Sequence, residues 1–469
     1  MFKKMIKFAV WISYWRYNMS RKFFVSVCLA QLLLLGSAMI HHAGLCAQTK
    51  EAACWSLGAC VDYAIENNIS IAQEEIALAR SRNDLRESYL DLAPGITGGV
   101  SHSLNWGRSV NVQELRISRS LTLNTSASID ARLTVFSGLS KQNTIKSRKM
   151  ALRLETENYR KLKDEISVEV ANSYLQVLLY YEINELSKKS CEASAQKAAN
   201  TKVLVDEGSE PYSTYLEMQA KAAQDSLQLV NSGNNLSNAY LGLAQLLNLS
   251  IEQQKDFRVE IPQNDELLIS PEGLDFNEIF NDALRLPKIR MNEFALEKSR
   301  IDLKIAKGNY YPQLSVSATY GTYYTDSQKA AFFSQFNDNK NPYLGLSLSI
   351  PIFSGLKARI NTDNARLNVQ NSQYNLDRAK QELYKEVQSV YFDVLNSYRK
   401  YQAARSSAAA SHESWQVVDF KAQEGAATTT EVIVAMNNWF SSASECVQAK
   451  YQYLLFTKIL DFYRGIPIR

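Results

Sequence analysis

The chain repeats itself. Ala77-Leu78 and Ser81-Arg82-Asn83-Asp84-Leu85 return 218 residues later as Ala295-Leu296 and Ser299-Arg300-Ile301-Asp302-Leu303, and Pro94 returns as Pro312. Phe136-Ser137-Gly138-Leu139 returns at a spacing of 217 as Phe353-Ser354-Gly355-Leu356. Glu169-Val170, Tyr174, Val177 and Leu178 then return as Glu386-Val387, Tyr391, Val394 and Leu395, and Gly208 as Gly425. Seventy residues separate Gly138 from Gly208, and seventy separate Gly355 from Gly425. A loop tolerates insertions; a packed continuous helix does not, because one extra residue turns everything beyond it by about 100°. The 469 residues are therefore two copies of one unit built on a long helix, not the three domains that length alone suggests.

Few prolines and glycines, 9 and 18, agree with long uninterrupted elements. Each copy reads in the same order. A helix spans about 57–92 and again 275–308. Two strands follow, at about 96–136 and 313–353. A very long helix covers 139–206 and 357–423, roughly 100 Å at 1.5 Å per residue. A turn at Gly208 or Gly425 leads into a return helix, 212–249 or 429–463. The first repeat is thus 48–249 with hairpin 139–249, and the second is 275–469 with hairpin 357–463. Residues 250–274, with Pro262, Pro271 and Gly273, link them.

The strands rest on period-two alternation. From 121 to 136 the odd positions are Leu121, Leu123, Thr125, Ala127, Ile129, Ala131, Leu133 and Val135, and the even ones are mostly Thr, Ser, Asn, Asp and Arg. Leu314, Val316, Ala318 and Tyr320 alternate with Gln, Ser and Thr, and so do Leu344, Leu346, Leu348, Ile350 and Ile352 with small residues. Ile96, Val100, Leu104 and Trp106 mark a weaker strand. Segments of about ten residues with one apolar and one small polar face are the pattern of a membrane β-barrel, and single-chain barrels begin at eight strands. Four strands are too few to close one, so several chains share a barrel or the strands are not in a membrane. Along the long helices Leu162, Ile166, Val170, Tyr174 and Val177 step by three and four, as a packed helix face requires.

Six Lys and Arg, and no Asp or Glu, precede residue 48. Arg21 and Lys22 lead into an apolar run from Phe23 to Ile40, and small residues end at Ala47. This reads as an export signal over 1–47, with a membrane anchor as the competing reading and Met19 a possible true start. A lipid-modified Cys46 is disfavoured by the bulk of Leu45. Leu57-Gly58-Ala59-Cys60 matches a lipidation box by chance inside a helical pattern. Beyond the leader the chain is slightly acidic, which removes the electrostatic basis for a nucleic-acid partner. Cys54 and Cys60 can bridge if the chain bends there. Only His102 and His412 follow the leader, and there is neither a C-x-x-C pair nor a phosphate-binding loop, so no catalytic centre, cofactor or metal site is expected.

Helix, two strands and long hairpin, all twice behind an export signal, resemble the TolC-like outer-membrane efflux protein family over essentially the whole mature chain. Tyr311-Pro312, Ile350-Pro351-Ile352-Phe353-Ser354-Gly355-Leu356 and its first-copy form Thr134-Val135-Phe136-Ser137-Gly138-Leu139 carry the resemblance, with Trp55-Ser56-Leu57 and Ala64-Ile65-Glu66-Asn67-Asn68. It implies a mainly α chain with a membrane β-barrel portion. Three copies would each give four strands to a twelve-stranded barrel in outer-membrane lipid, and their helices would form a tunnel across the periplasm. It implies a passive exit duct for efflux or secretion, a homotrimer joined by a periplasmic adaptor to an inner-membrane transporter. Loops 107–120 and 324–342 would face outside. Gly208, Ser209, Gly425 and Ala426 would be the adaptor-docking tips, flanked by Glu210 and Ala427. Glu431, just past the second tip, would narrow the inner mouth. Other family gate positions read Val434, Ala422, Ala427 and Thr214, so the full gate network is missing. The alternative is a periplasmic coiled-coil adaptor or scaffold, which would carry one hairpin and compact β domains.

Overall fold

The structure, a computed structural model, describes residues 54–111, 116–262, 270–271 and 273–468. The leader expected at 1–47, with Cys46, lies outside the described residues. The first copy runs β1 (Cys54–Trp55), α1 (Leu57–Asn67), α2 (Ile69–Leu90), β2 (Gly95–Asn111), β3 (Arg116–Ser137), α3 (Ser140–Asp206) and α4 (Tyr212–Leu246). A connecting stretch carries α5 (Ile251–Asp256) and β4 (Arg258–Val259). The second copy runs α6 (Phe276–Ala283), α7 (Pro287–Gly308), β5 (Gln313–Thr325), α8 (Phe332–Asp338), β6 (Asn341–Ser349), α9 (Lys357–Gln423) and α10 (Thr429–Tyr463).

The helix expected over 57–92 is broken in two. Asn68 ends α1 with an extended backbone, and its side-chain oxygen accepts from Ser70 N at 2.8 Å to start α2. The helix expected over 275–308 breaks at the equivalent place. Leu286, 218 residues after Asn68, is extended ahead of Pro287, whose fixed ring suits a first helical position. The break is part of the duplicated unit.

α3 and α9 each have 67 residues, and α4 and α10 each have 35. Both long helices start from two consecutive left-handed residues, Gly138-Leu139 and Gly355-Leu356, all with φ near +60°. Such a pair turns a strand abruptly into a helix, and Leu at φ > 0 costs about 1–2 kcal/mol, so packing must hold the turn.

The repeated apolar positions are the centres of the cores. Val170 and Val177 of α3, and Val387 and Val394 of α9, are essentially fully buried. Each such side chain contributes about 1.5–3 kcal/mol on burial. The first core gathers α1, α3, α4 and β4, with Trp55, Leu243 and Phe257; the second gathers α6, α7, α9 and α10, with Ile289, Tyr453 and Leu460. The connecting stretch is more than a linker. β4 pairs in parallel with β1, Trp55 opposite Val259, and Tyr174 donates its hydroxyl to Glu260 O at 2.9 Å. Near the end of the first hairpin a charged pair is buried between α3 and α4. Lys221 Nζ lies 2.5 Å from Asp225 Oδ1, and Ser190 donates to Asp225 Oδ2 at 3.3 Å.

β2, β3, β5 and β6 form one open antiparallel sheet in that order. The alternation at Ile350 and Ile352 predicts that the last strand runs on to 353, but β6 ends at Ser349. Its partner β5 begins at Gln313, opposite Ser349, and Pro351 has no N–H for a ladder. Cys54, Cys60, Cys191 and Cys446 are free thiols. Cys60 is fully buried within α1, so the box ending at Cys60 is helix core and not a lipidation site.

Candidate functional site

The register sorts the sheet into two unlike faces. Side chains directly opposite one another share a face. Across the four strands, Ile96 stands opposite Ala131, Ala131 opposite Ala318, and Ala318 opposite Leu344. Leu133, Val316 and Leu346 make a second such row, and Leu104 with Leu123 and Trp106 with Leu121 extend the face toward the strand ends. Among the described residues much of it is uncovered: Val100 is 80% exposed and Leu346 71%. His102 Nδ1 and Thr125 Oγ1, 2.8 Å apart, form a polar pair on it.

The opposite face is small and polar. Thr97, Asp130, Thr319 and Tyr343 form one row. Asp130 accepts from Ser128 at 2.8 Å and Thr319 at 2.7 Å, and Ser101 bonds Ser126 at 2.7 Å. Near the start of α3 the alternation slips. A bulge between Thr134 and Phe136 leaves Val135 extra and sets Phe136 opposite Leu314, so Phe136, not Val135, continues the apolar face.

At the other end of the long helices, the expected tip residues lie at two matching turns. Gly208 has φ +76° and Gly425 φ +73°. Ser209 N donates to Leu204 O at 2.8 Å and Gly208 N to Val205 O at 3.0 Å. Ala426 N donates to Lys421 O at 2.8 Å and Gly425 N to Ala422 O at 3.1 Å. Both are Schellman ends, which place a left-handed residue, usually Gly, after the last helical turn. Gly208, Ser209, Gly425 and Ala426 are all exposed.

The return helices start differently. α4 follows Pro211 with no side-chain cap, whereas α10 opens with a capping box. Glu431 Oε2 accepts from Thr428 N at 2.7 Å and from Thr428 Oγ1 at 3.0 Å, and Thr428 Oγ1 accepts from Glu431 N at 3.2 Å. The Thr428 amide, then its hydroxyl, hold the Glu431 carboxyl below the usual carboxylate range. Glu431 is therefore a helix cap, exposed at the tip.

The structure also joins the two hairpins through residues that the sequence pattern did not mark. Lys197 of α3 forms an ion pair with Asp419 of α9, and Thr430 of α10 donates to Glu217 of α4 at 3.2 Å. A groove of about 400 Å³ lies between the tips, lined by Leu204, Glu210, Met218, Ala422, Ala427 and Val432 among others. Pairings between residues more than two hundred apart leave no local signal; only the duplication, which aligns Gly208 with Gly425, hints that the tips meet.

No curated protein matches the chain. The model of the outer membrane efflux protein family matches residues 60–249 and 282–457. Among solved structures, the chain is similar to the outer membrane protein VceC of Vibrio cholerae, with TM-score 0.75 at 14% identity over 88% of this chain and 97% of that one. It is similar to the CmeC outer membrane channel of Campylobacter jejuni, with TM-score 0.74 at 16% identity over 87% and 86%. It is also similar to the MtrE outer membrane channel of Neisseria gonorrhoeae, with TM-score 0.72 at 16% identity over 88% of each. At these identities the likeness is one of fold.

Proposed function

Because the chain belongs to the outer membrane efflux protein family and is an outer-membrane channel protein, we propose that three copies form the passive exit duct of a tripartite efflux or secretion system. The observation that carries this reading is the uncovered apolar face of a four-stranded sheet. An open sheet with that face in water is unstable, and in lipid its unpaired edges on β2 and β6 must also be closed. Three copies joined edge to edge give twelve strands with the apolar face outward and the Ser/Thr-rich face lining the pore.

The helices support the same count. α3 has α2 on one flank and α7 on the other. α9, its repeat equivalent, packs on α7, and its outer side exposes Leu367 and Tyr374. Their first-copy equivalents, Met150 and Glu157, are only 7% and 6% exposed. A neighbouring copy that lays its α2, with the exposed Ile76, against α9 would complete the pattern.

The tips are then the docking end. Gly208, Ser209, Gly425 and Ala426 would meet a periplasmic adaptor that leads to an inner-membrane transporter. Glu431, three copies to a ring, would line the mouth; its cap fixes Oε2, and Oε1 has no hydrogen bond to Thr428. A carboxylate ring favours cations. Glu431→Gln keeps a capping-box residue and removes the charge, so it should weaken cation preference in planar bilayers without loss of folding. Leu346→Arg tests the barrel: at mid-bilayer it should cost about 2–4 kcal/mol and lower the heat-modifiable oligomer in the outer membrane. Normal yield of that variant would sink the barrel assignment.

A further inference from the structure

The loop between β5 and β6 is folded, and it lies on one particular side of the sheet. Its centre is α8, where the Gln335 side chain is 2% exposed. The Gln335 carboxamide accepts from Thr325 N at 3.0 Å and donates to Thr325 O at 3.0 Å and Ala330 O at 2.8 Å. It thus takes the place of a strand partner for β5 beyond the point where β6 begins. Asn339 does the same one step back, donating to Tyr323 O at 2.9 Å.

Two contacts fix the side. Thr322 Oγ1 donates to Phe336 O at 2.7 Å, and the Tyr324 ring lies 4.8 Å from that of Phe332. Thr322 and Tyr324 stand opposite Ala127 and Thr125, so they point to the face that carries Ile129, Leu133 and Leu346. α8 therefore sits on the apolar side, at the strand ends farthest from the long helices. A loop that covered the pore would be held by the other set, Tyr323 and Asp130 with their neighbours. Phe332, 38% exposed and packed on Tyr324 and Phe336, and Phe333, 48% exposed, carry the apolar face on past the end of the ladder. The exposed Lys340 follows at the rim.

We propose that α8 is a lipid anchor, with Phe332 and Phe333 inserted at the rim of the outer leaflet, outside the pore mouth. The partner is the acyl-chain and headgroup boundary of outer-membrane lipid, where aromatic rings favour the interface. The inference rests on the reading that the apolar face meets lipid, and its test separates the two. The full-length protein carries a photoreactive p-benzoylphenylalanine at Phe333, at Leu346 or at Ser317 on the polar face. Cells with radiolabelled acyl chains are irradiated, and the outer-membrane protein is examined for lipid adducts. Adducts at 333 and 346, and their loss at 317, are expected. Adducts at 346 without any at 333 overturn the anchor and leave the barrel standing. None at either position, with the protein in the outer membrane, overturns both. Where the 333 variant fails to assemble, the probe at Phe332 decides by the same criterion.

Discussion

Replacing Gly138 with Ala probes the turn on which the strand-to-helix junction depends. Gly138 has φ +61°, which costs an alanine about 1–2 kcal/mol. The added Cβ would also run into the carbonyl oxygen of Gly308 and lie 2.8 Å from Tyr311 Cβ. That carbonyl has little freedom, since Tyr311 N donates to it at 3.1 Å. Overpacking of this kind adds about 1–3 kcal/mol, for a total of about 2–5. Gly355, the repeat equivalent, has φ +60° but nothing within 4 Å of a built Cβ. Gly355→Ala should therefore lose only the backbone part. Unfolding of the monomeric fraction in guanidinium, followed by the helical far-UV signal, compares the two. Gly138→Ala should unfold at clearly lower denaturant; equal midpoints would refute the claim that the end of α7 locks the turn.

Leu367→Glu should leave the monomer folded and lower the trimer fraction in size-exclusion chromatography, because it charges the flank proposed for the neighbouring α2. Gly425→Pro should abolish export while trimers persist: proline cannot reach φ +73° and lacks the N–H given to Ala422. Export at the wild-type rate would remove Gly425 from the docking end. Asp164→Asn should change the pH dependence of stability. Burial first, and the Glu165 charge second, push the Asp164 carboxyl up to about 6. The folded chain thus binds the extra proton between the unfolded value and about 6, and stability falls as pH rises through that window. The full shift would be about 3 kcal/mol. Partial exposure reduces it to about 1. The variant should equal wild type near pH 3, below the unfolded value, and gain that amount at pH 8, as read by denaturant midpoints.

The long elements were legible because their signals are periodic and doubled. Val170 with Val387, and Gly208 with Gly425, mark the same places in two copies, and a constant spacing between them leaves only a helix. The break at Asn68 was harder to see. Asparagine caps helices but also sits inside them; here its extended backbone ends α1 and its side chain caps α2 through Ser70 N. Leu286-Pro287 carried a clearer breaker that helical periodicity masked. The sheet's two faces followed from alternation, yet the bulge that swaps Val135 for Phe136 depends on where the partner strand begins. Among the tip residues, glycine betrayed the turns. The Lys197–Asp419 pair and the groove beside it depend on which helix lies next to which. The folding of the 324–342 loop around Gln335 likewise has no sequence period to announce it.

The equal limbs of the two hairpins make length a shared quantity. A cell envelope of different depth would ask this chain to reach further, and no single insertion can do so. An added segment must return every side chain to its facing. For packed α-helices the shortest lengths that do so to within about 20° are 7 and 11 residues, two and three turns, or about 10 and 17 Å. The segment must then be entered four times, in α3, α4, α9 and α10, or the tips no longer meet and Lys197 parts from Asp419. Reach in such a molecule is inherited in steps, and small adjustments in span must come from the partners that meet its tips.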